Sequence, residues 1–325
     1  MKAVYINRSD IGWYSRNANV YRKAMEVVTK YEATLCLCRE CSVPPEIECK
    51  ARRIVRFDSV LELLRNEAVD LIGPDEVSIF TGFDFPCMRV ALALKNKYNC
   101  HWTVFCWDPP SLNHRDRFPP LRWAIDYAFR HYVSRCDHLV LNIHPGLLNE
   151  IGFSSDEIKQ WKTSGKLELR MQDAFDDLTL PPIQSCDEGD YEYDIGVLSN
   201  WSSAKGGLLL KEAMNVMPGK KCLWIGDRPS GSIDCPQIIF TGRLEQHEAF
   251  DRLGRCRLLL APYLPVKSLK WNYVLKLFEY LQIGCRILAS DNPGNVAVAE
   301  RFPGRIELFR SGDVDDLVRK ISKMI

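Results

Sequence analysis

The 325-residue chain carries 43 Lys and Arg against 42 Asp and Glu, a formal net charge of +1. This balance argues against a nucleic-acid-binding surface, and the first 180 residues, with 24 basic and 24 acidic side chains, show no clear basic patch for an anionic membrane. Hydrophobic residues make up 46% of the chain, whose length suits two domains with separate cores. The apolar runs are too short to cross a bilayer and the N-terminus lacks a secretory signal, so we expect a cytoplasmic protein, with contact at the inner membrane face left open.

Strand and helix patterns alternate in the first half of the chain. Short apolar runs predict strands at 2–6, 33–38, 53–57, 77–81, 102–106 and 138–143. Helical periodicity predicts helices at about 17–31, 60–65, 87–97 and 121–134. Such alternation is typical of a parallel sheet covered by helices.

A break in this pattern divides the chain. The segment 178–192 combines Pro181-Pro182, Gly189 and acidic residues without periodicity, as interdomain linkers do. We therefore expect one domain over residues 1–180 and a second over residues 181–325. The alternation then resumes, with strands predicted near 194–198, 221–225, 237–241, 257–261 and 286–289. The predicted fold class is α/β, with two Rossmann-like domains.

The thirteen cysteines are scattered over predicted strands and helices. An odd count without a regular framework is typical of reduced, buried thiols. Cys36, Cys38, Cys41 and Cys49 lie close enough in sequence to suggest zinc, but they lack the paired C-x-x-C spacing of structural zinc sites. We expect no metal site, and the role of this cluster is left open.

Two segments of the second half place polar residues at helix starts. Lys205-Gly206-Gly207 follows a polar loop that can hold a diphosphate. Further on, VLKLFEYLQIGCRILASDNPGN, residues 274–295, predicts a helix ended by Gly284, a buried strand and a glycine-bearing loop. Lys276 and Glu279 lie in the first turns of this helix, where N–H groups favour phosphate and a carboxylate can meet ribose hydroxyls. An ordinary Lys-Gly turn and an ordinary amphipathic helix would explain the same residues.

The stretch KLFEYLQIGCRILASDNPGN resembles the donor site of nucleotide-sugar glycosyltransferases with the GT-B fold, in particular family 4 (glycosyl transferases group 1). That family commonly reads K-L-F-E-Y-[LM]-A-x-G-x-P-V-[IV]-[AS]-[ST]-D-x-x-G. The loop before Lys205 is similar to the family segment G-R-L-x-x-x-K-G, and IIFTGRLEQHEAFDRLGRCRLLLAPY, residues 238–263, lies in the expected order between the two. The resemblance implies two Rossmann-like domains whose parallel sheets face one another across a cleft.

The same resemblance implies which residues of the second domain bind the donor. The diphosphate would lie at the two helix starts, the helix glutamate would bind the ribose, and a glycine turn would approach the base. The residues concerned are Lys205, Gly206, Gly242, Arg243, Leu275, Lys276 and Glu279. The carboxylate that the family carries eight residues before that glutamate is Trp271 here, and the family's loop arginine falls on Asn200. Arg243, Lys267 and Lys270 are therefore candidates to balance the phosphate charge.

The first domain is expected to bind the acceptor and to supply the acid–base group. Asp108 follows a predicted strand at the end where parallel sheets bind ligands, so it can act as general base or, alternatively, cap its own loop. The resemblance nominates Asp108 first and His114 second, and Asp84, at another strand end, ranks lower. The matching acceptor-side loop contains Asn7, Arg8, Gly12 and Trp13.

Two acidic patterns are interpreted as structural. Asp313-Val314-Asp315 matches the D-x-D of metal-dependent sugar transferases, but it begins a predicted terminal helix, where early acidic residues favour the dipole. Asp173, Asp176 and Asp177 lack His or Cys ligands at useful spacing, so we expect them to be solvated.

The expected activity is metal-independent transfer of a sugar from a nucleotide-diphosphate sugar to a hydroxyl of a glycan or lipid-linked acceptor, as in polysaccharide biosynthesis. No cofactor is expected beyond the donor substrate. An epimerase or hydrolase of the same fold and a catalytically silent nucleotide-sugar binding protein are alternatives. An oxidoreductase is disfavoured because no G-x-G-x-x-G follows a strand. Family 4 members are typically retaining whereas a base at Asp108 suits inversion, so both outcomes stay open.

Overall fold

The computed structural model describes residues 1–8, 19–59, 62, 77–107, 119–171, 180–183, 191–228, 233–266 and 269–325. The chain forms two compact units, Met1–Asp176 and Asp177–Ile325. No helix within these described ranges combines the length and apolar character needed to cross a bilayer.

The first unit contains a seven-stranded parallel sheet in the order β3-β2-β1-β4-β5-β6-β7. Its strands are β1 (Lys2–Asn7), β2 (Glu32–Cys38), β3 (Arg53–Phe57), β4 (Val77–Thr81), β5 (His101–Cys106), β6 (His138–Leu141) and β7 (Leu167–Leu169). Its helices are α1 (Asn19–Lys30), α2 (Pro45–Glu48), α3 (Phe85–Tyr98), α4 (Pro119–Val133), α5 (Gly146–Glu150) and α6 (Ser155–Thr163).

The order of the first sheet reverses at β1, which pairs with β2 on one side and β4 on the other. Five successive residues of β1 are buried, as expected for a central strand covered on both faces. One core forms where α1 packs on the sheet, around side chains such as Tyr5, Leu35 and Phe105. Because ligands bind where parallel strand order reverses, the residues that follow β1 and β4 occupy the position of a binding crevice.

The second unit contains a six-stranded parallel sheet in the order β10-β9-β8-β11-β12-β13. Its strands are β8 (Tyr193–Leu198), β9 (Cys222–Ile225), β10 (Ile238–Gly242), β11 (Cys256–Ala261), β12 (Arg286–Ser290) and β13 (Ile306–Phe309). Its helices are α7 (Gly207–Asn215), α8 (Gln246–Leu253), α9 (Leu275–Ile283), α10 (Pro293–Arg301) and α11 (Val314–Met324). Here the order reverses between β8 and β11, which places the loops after these two strands side by side.

The two parallel sheets confirm the α/β fold class expected from the sequence, and each predicted strand appears within two residues of its expected bounds. The strands β7 and β13 and the helices α2, α5, α6 and α10 were missed. The glycine-bearing loop after β12 is shorter than expected, because α10 begins at Pro293 and includes Gly294. The helix expected at 60–65 falls almost wholly outside the described residues.

Asp313 has the capping role expected from its position. Its carboxylate accepts a hydrogen bond from the Asp316 N–H at 2.9 Å at the start of α11. Among the described residues, no group of three or more His, Cys, Asp or Glu side chains gathers to hold a metal ion. The twelve cysteines in those ranges are free thiols, most of them buried.

A buried charge network ties α1 to the end of β7. Lys23 is fully buried, with its ammonium 3.4 Å from Glu26 and 4.8 Å from the centroid of the Phe105 ring. Glu26 also accepts hydrogen bonds from Lys30 at 2.9 Å and from Arg170 at 3.0 Å. Burial by itself raises the pKa of Glu26, but the three cations outweigh it and hold that pKa at about 2.

Replacing Glu26→Gln should therefore destabilise the first unit by roughly 2–3 kcal/mol at pH 7, because the carboxylate charge that Lys23, Lys30 and Arg170 stabilise is lost. The folded-state pKa of Glu26 is depressed, so its contribution is complete above the ordinary carboxyl pKa and is lost as the pH falls toward about 2. Urea unfolding at several pH values should show the difference between the two proteins shrinking below pH ~4.5. The matched change Glu32→Gln, at an exposed carboxylate 3.6 Å from Arg52, should cost much less; equal losses would refute the account.

Candidate functional site

The loop that follows β8 leads into α7 through a glycine that lies against the backbone after β11. Gly206 has φ 79°, and a methyl group added to it would lie 1.9 Å from the carbonyl oxygen of Pro262. The Leu264 N–H donates to the Ala204 carbonyl at 2.9 Å, which joins this loop to the chain after β11. Next to it, Gly207 packs directly against the Trp201 ring. The backbone before α7 is therefore fixed from both sides at the carboxyl edge of the sheet.

Two lysines lie near each other at this edge. Lys205 is half-buried, and burial lowers its pKa, as does the positive charge of Lys276. Lys276 lies in the first turn of α9, which contains no acidic residue and whose N-cap, Val274, makes no side-chain capping bond. In the described ranges, no carboxylate forms an ion pair with either lysine. In the part of the chain that the structure describes, two cations thus lie close to the positive end of a helix and neither has an ion-pair partner, which is the electrostatic character of a phosphate site.

Helix α9 is held rigidly beneath this charge. Tyr280 accepts a hydrogen bond from the Leu198 N–H at 2.8 Å and donates one to the Leu260 carbonyl at 3.3 Å, which ties the helix to the ends of β8 and β11. Glu279, one turn after Lys276, is only 8% exposed. The helix ends at Gly284, with φ 84°, as the sequence predicts.

The predicted turn at Gly242 lies beside the end of β9. The Gly226 N–H donates to the Gly242 carbonyl at 2.9 Å, and Gly242 has φ 76° with no atom within 4 Å of an added methyl group. Arg243 forms a bidentate ion pair with Asp227, with N–O distances of 2.9 and 2.6 Å, which raises the pKa of Arg243 and lowers that of Asp227. The guanidinium proposed as a phosphate ligand therefore has a carboxylate partner in this structure.

Trp271, at the position where the related family has a carboxylate, interacts with its neighbour. The ammonium of Lys270 lies 4.5 Å from the centroid of the Trp271 ring, a cation–π contact. The same turn approaches α10 closely, since a methyl group on Gly294 would lie 2.0 Å from the Asn272 carbonyl oxygen. The third candidate for charge balance, Lys267, lies outside the described residues.

Two of the predicted residues of the first unit come together at the strand-order reversal. Arg8, just after β1, lies 3.6 Å from Asp84, just before α3. The Cys87 thiol also donates to Asp84 at 3.2 Å, and the charge of Asp84 raises the pKa of Arg8. Asn7 is buried at the end of β1. Asp108, His114, Gly12 and Trp13 lie outside the described residues.

Sequence reasoning missed two residues that organise the second unit. Asp227 comes directly after Gly226, which follows the buried strand β9. A polar residue at such a strand end could have been predicted as a partner for Arg243. Tyr280 gives no such signal, because in the sequence it looks like one more apolar position of α9. Its role depends on two backbone groups that lie far away in the chain.

Comparison with known proteins supports the fold alone. No protein-family model and no curated protein matches the chain. Among solved structures, HepE from Anabaena in complex with UDP has a TM-score of 0.69 at 13% identity, covering 99% of this chain and 89% of that one. Sucrose-phosphate synthase from Thermosynechococcus elongatus has a TM-score of 0.64 at 13% identity, with coverages of 99% and 89%. A trehalose-6-phosphate protein from E. coli bound with UDP-2-fluoro glucose has a TM-score of 0.60 at 11% identity, with coverages of 100% and 91%.

These similarities confirm that the chain has the fold of the GT-B glycosyltransferases, with a parallel sheet in each unit. A putative UDP-N-acetylglucosamine 2-epimerase from Listeria monocytogenes is also similar, with a TM-score of 0.56 at 10% identity, covering 99% of this chain and 87% of that one. Fold similarity at this level does not by itself define an activity.

The contact between Gly206 and Pro262 generates a prediction about stability. Gly206→Ala should destabilise the second unit by ~2 kcal/mol more than Gly219→Ala, because both glycines have positive φ but only Gly206 touches another backbone. Both variants carry the strain of an alanine with positive φ, so the difference between their free energies of unfolding measures the contact with Pro262 alone. Thermal unfolding of the two variants measures it, and equal losses would show that the loop is free to move aside.

Proposed function

We propose that the chain is a glycosyltransferase of the family 4 type, which moves a sugar from a nucleotide-diphosphate sugar to a hydroxyl of a glycan or lipid-linked acceptor. The observation that carries the proposal is the pair Lys205 and Lys276, two cations beside a helix N-terminus with no carboxylate partner in the described ranges. A diphosphate supplies the charge that such a site needs.

The two lysines have a chemical role in this proposal. When the sugar–phosphate bond breaks, negative charge develops on the departing diphosphate, and cations already in position stabilise it without reorganising. Lys205 is half-buried, so its charge acts through a medium less polar than water. Gly206 lets the loop that carries Lys205 lie against the Pro262 carbonyl, because there is no side chain in the way.

The other donor contacts follow the same resemblance. The buried carboxylate of Glu279 is suited to accept hydrogen bonds from the ribose hydroxyls, one turn deeper in α9 than Leu275 and Lys276. The turn at Gly242 offers open backbone to the base. Arg243 would bind the donor phosphate only if it left its ion pair with Asp227.

The acid–base group is assigned to the first unit. Asp108 is the first candidate and His114 the second. Asp84 is a weaker candidate, because Arg8 and the Cys87 thiol already engage its carboxylate. The acceptor would lie near Asn7, Arg8, Gly12 and Trp13, with a metal-independent reaction.

An epimerase or hydrolase is the second candidate function, and the epimerase among the similar structures favours it. A third, a catalytically silent binding protein, is suggested by Trp271 in place of the family's carboxylate. The three differ in what releases the nucleoside diphosphate: a transferase needs an acceptor, a hydrolase needs only water, and a silent protein binds without turnover.

The test is a panel of nucleotide sugars, beginning with uridine diphosphate sugars because four of the similar structures contain UDP or a UDP-sugar. Thermal shift identifies the donor that binds, since a ligand stabilises the state to which it binds. Release of the nucleoside diphosphate is then measured with and without candidate acceptors. Release only with acceptor is expected, and release at the same rate without it would favour hydrolysis.

Replacing Lys205→Met should weaken binding of the nucleoside diphosphate by about 10–100-fold, because a charge-assisted contact to phosphate is lost. Binding of the free nucleoside, which has no phosphate, should not change. Lys211→Met, in the helix α7 that follows this loop, is the matched control and should behave as wild type. Calorimetric titration provides the dissociation constants. If Lys205→Met weakened nucleoside and diphosphate equally, Lys205 would not be a phosphate ligand.

A further inference from the structure

The cysteine-rich segment of the first unit contains one C-x-x-C pair. Cys38 is the last residue of β2, and Cys41 follows it by three positions. Both are free thiols, Cys38 partly exposed and Cys41 buried. Among the described residues, the pair belongs to no group of three or more side chains that could hold a metal ion. Two thiols so close in the chain have a second chemistry open to them, the formation of a disulfide.

The two cysteines are the first and last residues of one turn. The Cys41 N–H donates to the Cys38 carbonyl at 3.0 Å. A turn with this hydrogen bond brings its end Cα atoms closer than about 7 Å, and disulfides join Cα atoms about 4.4–6.8 Å apart. The Nη1 of Arg56, in β3, donates to the Cys38 carbonyl at 3.2 Å and also to the Cys41 carbonyl. The turn is therefore held together at a separation suited to an S–S bond.

Other cysteines of this unit are less suited to react with Cys38. Cys36 is buried within β2, and burial raises the pKa of its thiol to about 12. Cys87 is also buried, and its thiol donates to Asp84 at 3.2 Å. Burial and the charge of Asp84 raise the pKa of Cys87 well above its ordinary value. Cys41 is therefore the best-placed partner for Cys38.

Both thiols of the pair contact Arg8. The Cys41 thiol donates to the Arg8 carbonyl at 3.4 Å, and the Arg8 guanidinium hydrogen-bonds the Cys38 side chain. These contacts follow from the pairing of β1 with β2, because Arg8 and Cys38 are the residues that follow the paired Asn7 and Leu37. A disulfide removes the Cys41 thiol hydrogen and draws the Cys38 sulfur toward Cys41. Oxidation would therefore break the first contact and disturb the second.

We propose that Cys38 and Cys41 are a redox-active pair, which closes to a disulfide when a peroxide oxidises it and opens again with a dithiol reductant. Cys38 reacts first, because it is the more exposed of the two. Its sulfur attacks the peroxide, an S–O bond forms as the O–O bond breaks, and hydroxide leaves as water with the Cys38 proton. The Cys41 sulfur then attacks the Cys38 sulfur. The S–S bond forms as the S–O bond breaks, and a second water leaves with the Cys41 proton.

The disulfide would act on the acceptor side of the candidate site, an effect that rests on the proposed function. Arg8 is one of the expected acceptor-side residues, and oxidation changes its contacts with the pair while its ion pair with Asp84 at 3.6 Å can persist. We expect the KM for the acceptor to rise about 3–10-fold on oxidation, as for the loss of one hydrogen bond. Donor binding, which is assigned to the second unit, should not change.

The test of the disulfide is peptide mapping of the full chain. The reduced protein is treated with hydrogen peroxide in the presence of a chelator, its remaining thiols are alkylated after denaturation, and the peptides are identified by mass spectrometry. We expect Cys38 linked to Cys41, with the link removed by dithiothreitol. Cys41→Ser should stop at the sulfenic acid of Cys38, which dimedone traps. Cys49→Ser removes the exposed thiol of the same segment and is the matched control, which should form the link as wild type does.

Arg56→Gln tests whether the turn is held in place for the reaction. Loss of the two bonds to the carbonyl oxygens should slow closure several-fold, so dimedone should trap more sulfenic acid at Cys38 than in the wild type. Arg52→Gln, which removes an exposed guanidinium just before β3, is the control and should close at the wild-type rate. Equal rates of closure in the two variants would contradict the role given to Arg56.

The wild-type map needs no variant, so it remains decisive if a substitution impairs folding, which circular dichroism detects. Absence of the link between Cys38 and Cys41, or a link from Cys38 to Cys87 in its place, would overturn the proposal. A zinc ion that the reduced protein retains and that alkylation of the pair releases would overturn it in favour of a metal site. The map uses neither donor nor acceptor, so its result is independent of whether the chain transfers sugar.

Discussion

The candidate site depends on one close approach of two backbone segments. The chain after β8 passes so near the chain after β11 that only a glycine fits at position 206, against the carbonyl of Pro262. The two segments meet because β8 and β11 are neighbours at the point where the order of the second sheet reverses. Lys205 precedes that glycine directly. The contact therefore fixes the loop that brings Lys205 near Lys276, although seventy residues separate them in the sequence.

Two lysines that are wholly or partly buried have opposite electrostatic surroundings. Lys23 is fully buried, but Glu26 faces it, and the surrounding cations depress the pKa of that carboxyl. Lys205 is half-buried beside another cation, and burial together with Lys276 lowers its pKa. The first arrangement stabilises the fold, whereas the second costs free energy until an anion binds. Unfavourable electrostatic interactions of this kind are typical of binding sites, because a bound ligand of opposite charge relieves them.

Local signals in the sequence predicted most of the fold. Apolar runs predicted the strands β8 and β11. The residues around Gly284 and Asp313 predicted the end of α9 and the start of α11. The missed strands β7 and β13 are short edge strands with partly exposed residues, so they lack a continuous apolar run. The missed side-chain contacts depend on residues far apart in the chain. Tyr280 bonds two strand ends that only the folded sheet brings together, and Arg243 meets Asp227 because β9 pairs with β10.

The central claim is that Lys205 and Lys276 bind the diphosphate of a nucleotide. A crystal structure of the chain with bound UDP tests it most directly. We expect phosphate oxygens about 2.7–3.0 Å from the ammonium groups of Lys205 and Lys276 and from backbone N–H groups in the first turn of α9. A well-ordered nucleotide whose diphosphate contacts neither lysine would contradict it.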